Sequence, residues 1–180
     1  MKRKIFLNIN IPPKVKRRIV SSVEKWRDLP IKWTKEENLH VTLLFLGYVE
    51  TETLPAICEK VRQAVENTDI FDLDFEGMGL APDRDDPQYV SVFGKPSEEL
   101  RMLDEEIEKA LGIFSKSKKS FRPHITVGRI RSKKWADLTE KPEISLTFSL
   151  GIPVESVDIM ASDFGEGDSE YSIIECCPLK

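Results

Sequence analysis

One tetrapeptide occurs twice in this chain, and it limits the fold more than any other feature. His40-Val41-Thr42-Leu43 and His124-Ile125-Thr126-Val127 both read His, aliphatic, Thr, aliphatic, and together they use both of the chain's 2 histidines. Each copy lies in a strand-like apolar run, residues 38–47 and 121–130. Side chains of a β-strand alternate between faces, so the imidazole and hydroxyl of each copy share one face and the aliphatic pair the other. Two such strands, related by an approximate twofold, would bring two imidazoles and two hydroxyls around one small volume. That is a cage for a phosphate.

The residue types suit phosphoryl chemistry. Imidazole titrates near neutrality, so one ring of a pair can accept a proton while the other donates one. In-line displacement at phosphorus needs a base on one side and an acid on the other, which one histidine from each copy supplies. The hydroxyls of Thr42 and Thr126 can donate to the non-bridging oxygens. A single His-x-Thr also fits a core histidine with satisfied hydrogen bonds, and only the duplication favours a site. Two distant histidines with no acid at ligand spacing do not suggest a metal centre, so neither a metal nor a cofactor is expected.

The motifs and their surroundings resemble the two-histidine (2H) phosphoesterase superfamily, and within it the RNA 2′,3′-cyclic phosphodiesterase (2′-5′ RNA ligase) family. The similarity includes residues 3–12, Ile31-Lys32-Trp33, Leu44-Phe45-Leu46-Gly47, Phe121, Pro123, Arg129, and the closing segment with Ser162 and Tyr171. It implies an α+β fold of two pseudo-symmetric lobes, each an antiparallel sheet with outer helices, facing a central cleft, with residues 1–180 as a single bilobal domain. The implied reaction is metal-independent hydrolysis of an RNA-terminal 2′,3′-cyclic phosphate to a 2′-phosphomonoester, with 2′-5′ ligation at the same site. The sequence is symmetric as to acid and base, and the resemblance makes His40 the proton donor and His124 the proton acceptor. It also implies that Arg129 contacts substrate phosphate. The alternatives are a 2H-fold nucleotide- or RNA-binding module without turnover, and a 2H phosphodiesterase acting on a small cyclic nucleotide.

Composition narrows the partners. A net charge of −4 gives no global case for nucleic-acid binding. Locally, Lys116, Lys118, Lys119, Arg122, Arg129, Arg131, Lys133 and Lys134 flank the second motif with no acid among them. Such a field would steer the end of an RNA or oligonucleotide, so Arg122 and Arg131 join Arg129 as candidate contacts. The other reading is a solvated basic loop. Trp33 and Phe45 are candidates for stacking a base or, alternatively, for core packing. Cys58, Cys176 and Cys177 form neither a disulfide framework nor a metal spacing, which suits a cytoplasmic protein. No apolar run reaches membrane-spanning length, and a monomer is expected.

Along the chain, alternation predicts a strand over residues 4–11, and Val15, Ile19, Val23 and Trp26 predict a helix over 13–27. Its basic face, Lys14, Lys16, Arg17 and Arg18, is read as solvated surface. A short strand at 31–34 precedes the first motif strand. A helix from about residue 54 to 65 follows, with Thr51-Glu52-Thr53 as its capping segment. Residues 70–76 read as a strand, 77–87 as a Gly- and Pro-containing loop, and 89–93 as a strand. A third helix runs from Ser97 to Gly112. Residues 116–120 read as a basic loop, 131–143 as irregular, and 144–150, 154–161 and 170–177 as closing strands around a turn at 165–168.

Overall fold

The structure is a computed structural model that describes residues 1–113, 121–164 and 169–180, Phe164 by its backbone alone. Its strands are β1 (Lys2–Asn10), β2 (Ile31–Trp33), β3 (His40–Glu50), β4 (Phe71–Ala81), β5 (Tyr89–Gly94), β6 (His124–Ile130), β7 (Ser145–Val154), β8 (Ser156–Phe164) and β9 (Ser169–Pro178). The helices are α1 (Pro13–Val23), α2 (Leu54–Val65), α3 (Glu98–Leu111) and α4 (Ser132–Ala136). The strands form two antiparallel sheets, one ordered β3-β1-β8-β9 and the other β2-β6-β5-β4-β7. The fold is α+β, as expected.

The two sheets repeat one plan. Motif strand β3 lies beside β1 and is reached through α1; motif strand β6 lies beside β5 and is reached through α3. One strand breaks the symmetry: β2 precedes β3 in sequence but pairs with β6, placing Trp33 opposite Gly128. Aliphatic residues of β1, Ile5, Leu7 and Ile9, are buried in the same core cluster as Val61 of α2 and Ile107 of α3.

Local chemistry accounts for the helix limits. Pro13 opens α1, where a missing N–H costs nothing. The Ser97 hydroxyl accepts from the Leu100 amide at 3.1 Å, and Gly112 at φ 69° ends α3 in the left-handed region. The Thr51–Thr53 segment departs from expectation. It is a 3₁₀ turn with no side-chain cap on α2, and the Thr53 hydroxyl donates instead to the Glu50 carbonyl.

Three other expectations are corrected. The loop read at 77–87 is strand as far as Ala81, because Gly77 and Gly79 stay in the ladder opposite Phe93 and Ser91. The segment read as irregular at 131–143 contains α4, whose Trp135 is buried. The helix read over 13–27 passes into a 3₁₀ turn at Glu24–Trp26. The expected basic loop at 116–120 and turn at 165–168 lie outside the described residues.

Candidate active site

Each motif strand carries a bulge directly after its threonine. In β3, Thr42 is opposite Asn8 and Leu44 opposite Leu7, so Leu43 is the extra residue. In β6, Thr126 is opposite Ser91 and Gly128 opposite Val90, which makes Val127 the extra one. A bulge reverses the alternation that follows it. Beyond it Leu44 is buried and Phe45 emerges, 65% exposed, on the side of His40 and Thr42. In β6, Gly128 is buried and Arg129 emerges beside His124 and Thr126.

Simple alternation would have put residue 128 on the cleft face. The bulge turns it the other way, and a Cβ there would stand 2.6 Å from Ile31 Cγ2 and 2.9 Å from Trp33 Cε3. Thr34 braces this bulge: its amide donates to the Val127 carbonyl at 2.9 Å and its hydroxyl to the Thr126 carbonyl at 3.1 Å.

Between the sheets lies a cavity of about 960 Å³ whose lining includes His40, Thr42, Phe45, Trp33, His124, Thr126 and Arg129. Arg122 and Arg131 are not among its lining residues; Arg122 is 3.8 Å from Glu76, and Arg131 stands at the head of α4. Trp33 is a half-buried strut, its indole N–H donating to the Arg27 carbonyl at 3.3 Å and its ring packed over Gly128. Lys116, Lys118 and Lys119 lie outside the described residues.

The lining also includes Tyr89, Phe93 and Tyr171, with Lys4, Lys32 and Lys35. The Arg129 guanidinium lies over the Tyr89 ring, 5.4 Å from its centroid. Phe93 lies against Gly77 and Gly79, next to His124 in the ladder. Glycines at alternate positions of a strand leave room for an aromatic ring across the ladder. That signal was present in a segment read as a loop.

The two histidines differ in their surroundings. His40 is half-buried, with its ring centroid 5.3 Å from that of Phe6 and 5.6 Å from that of Tyr171, which meets it edge-on. His40 Nδ1 is 2.7 Å from the Asn38 carbonyl oxygen. A carbonyl can only accept, so Nδ1 carries a proton and donates. Nε2, 3.0 Å from Thr42 Oγ1, is then the acceptor of the neutral ring, and the threonine hydroxyl donates to it. Burial pushes the His40 pKa down; the Asn38 carbonyl opposes this, and the charges of Lys16 and His124 add to the depression. His124, by contrast, is exposed.

The model of the 2′-5′ RNA ligase superfamily matches residues 12–166, a span that contains both motifs. A Thermotoga maritima protein named RNA 2′,3′-cyclic phosphodiesterase is 30% identical over 180 residues, covering 97% of this chain and 95% of its own length. An Archaeoglobus fulgidus protein of the same name is 30% identical over 142 residues, 77% of this chain and 80% of its own. Two solved structures share the fold. TT0787 of Thermus thermophilus has a TM-score of 0.78 at 24% identity, covering 98% of this chain and 97% of its own. E. coli LigT complexed with 3′-AMP has a TM-score of 0.78 at 22% identity, covering 99% of both chains. Duplicated motif strands, the cleft between their sheets and a family match over most of the sequence lead to one conclusion: the chain belongs to the 2′-5′ RNA ligase superfamily of two-histidine phosphoesterases.

Proposed function

We propose that the cleft hydrolyses the 2′,3′-cyclic phosphate at the end of an RNA to a 2′-phosphomonoester, without a metal ion. The observation that carries this reading is the matched pair of bulged His-x-Thr strands, one from each sheet, lining one cavity. The name shared by the Thermotoga maritima and Archaeoglobus fulgidus relatives supports the substrate class.

In this reading His124 accepts a proton from water as the water oxygen bonds to phosphorus. The bond from phosphorus to O3′ breaks, and His40 Nε2–H gives its proton to the departing O3′. Burial lowers the His40 pKa, which makes its imidazolium a stronger acid than an ordinary one and favours transfer to the leaving oxygen. Thr42 links binding to protonation. Beside the neutral ring its hydroxyl is committed to Nε2; beside the imidazolium, Nε2–H donates to Thr42 Oγ1, and the hydroxyl proton turns to the phosphate. An anion that recruits the Thr42 donor therefore selects the acid form of His40. Thr126 and Arg129 would hold the remaining phosphate charge, and Phe45 the terminal base. With a 5′-hydroxyl in place of water, the same displacement leaves a 2′-5′ linkage.

The test is turnover of an oligonucleotide ending in a 2′,3′-cyclic phosphate, in EDTA, with the product identified by ³¹P NMR. A 2′-phosphomonoester is expected. His40→Ala and His124→Ala should each lower kcat by about 10² to 10⁴, the usual weight of a general acid or base. Full activity in the double variant rejects the scheme. Binding of the oligonucleotide without turnover would identify a binding module.

A further inference from the structure

We propose that Lys16, on α1 and outside the cleft, is a positioning residue for His40: it anchors the turn whose carbonyl fixes the imidazole tautomer. This rests on the reading of His40 as the proton donor.

The contacts form a continuous chain. Lys16 is half-buried, unlike its neighbours Lys14, Arg17 and Arg18, which are exposed. Its Nζ donates to the Glu37 carbonyl at 3.3 Å. Glu37 is the middle residue of a 3₁₀ turn, Glu36–Asn38, and the last carbonyl of that turn accepts from His40 Nδ1 at 2.7 Å. The Asn38 side chain ties the same turn to β9, its Nδ2 donating to the Ser169 carbonyl at 3.3 Å. The carbonyl that selects the tautomer is thus held from α1 on one side and β9 on the other. If the turn drifts, Nδ1–H loses its partner, and the Nε2–H tautomer, which offers no lone pair to Thr42 Oγ1, becomes competitive.

Charge acts in the same direction. An ammonium near a half-buried imidazole opposes a second positive charge on the ring, and Lys16 is among the groups that lower the His40 pKa. The ring is also met by the Asn38 carbonyl, the Phe6 ring from β1, His124 from β6 and the Tyr171 ring from β9. Burial lowers the pKa of Lys16 itself, and Glu36, Glu37 and Asp158 oppose this by favouring its charged form. A phosphate arriving in the cleft would reverse the balance at His40 and permit protonation at Nε2, the state needed for donation to O3′.

The experiment is NMR of the ligand-free protein, whose 2 histidines are assigned with His124→Asn. Long-range ¹⁵N spectra report the tautomer and Cε1–H shifts report the titration. Wild-type His40 should show the Nδ1–H tautomer. Lys16→Met should mix the tautomers and move the His40 titration to higher pH, while Lys16→Arg should preserve both. Lys16→Gln, which keeps a donor and loses the charge, should keep the tautomer and move only the titration. In turnover, Lys16→Met and Lys16→Gln should carry the alkaline limb of kcat to higher pH.

A Lys16→Met protein with wild-type tautomer and titration overturns the proposal, whatever its melting temperature. If Lys16→Met does not fold, an unmoved titration in Lys16→Gln overturns it. The NMR readout needs no substrate. Absent turnover with the NMR result intact would therefore count against the cyclic-phosphate reading and leave the positioning role standing.

Discussion

At the scale of single residues, two identical tetrapeptide patterns have become chemically unequal. His40 is enclosed by Phe6 and Tyr171 and held at both ring nitrogens, whereas His124 is exposed. The depressed pKa of His40 has a consequence for stability. Above pH of about 6.5, the ordinary value for a histidine, the ring is neutral in both the folded and unfolded chain and contributes no pH dependence. Below it the unfolded chain takes up the proton more readily than the fold, so stability is lost as pH falls through the folded pKa. Thermal melts between pH 7 and 5 should therefore fall more steeply for wild type than for His40→Gln; parallel curves would contradict the lowered pKa of the half-buried ring. Thr42→Val removes one donor and the link to His40, and should lower kcat by about 10² to 10³ with the fold intact by circular dichroism.

At the scale of elements, the bulges after Thr42 and Thr126 decide what the cleft contains, since each delivers the residue three positions past the threonine to the cleft face. The β6 bulge depends on β2 and the residue after it, through the Thr34 hydroxyl and through the close fit of Gly128 against Ile31 and Trp33. Gly128→Ala should separate β2 from β6 at a cost of about 1 to 3 kcal/mol, the range for overpacking, and raise KM by displacing Arg129 and Trp33. Gly151→Ala, where a Cβ meets nothing within 4 Å, is the control and should melt within about 0.5 kcal/mol of wild type. The glycine-containing half of β4 was illegible in the sequence because Gly77 and Gly79 signal a loop unless the Phe93 ring across the ladder is known. Helix α4 was missed for a similar reason. Five residues are too few for a periodicity, and its one buried side chain, Trp135, gains its meaning from the core.

For the whole molecule, an acidic chain has collected Lys4, the neighbouring Lys32 and Lys35, and Arg129 at one cavity from three separate stretches of sequence. An oligonucleotide end bound there should lose affinity with salt, with log K falling by about 0.7 per phosphate engaged for each tenfold rise in salt. Fluorescence anisotropy from low to high salt measures the slope, and a flat response would place the binding energy in stacking on Phe45, Tyr89 and Phe93. Local pattern was enough to determine the strands that bear the motifs, the three longer helices and the pairing of imidazole with hydroxyl, because alternation and helical spacing depend only on near neighbours. Tertiary structure alone decided which lining residues meet, which histidine is half-buried, that β2 crosses to the other sheet and that Lys16 reaches the turn behind His40. Those outcomes depend on solvent exclusion and on hydrogen bonds between segments far apart in the chain, and neither is written into a local stretch of sequence.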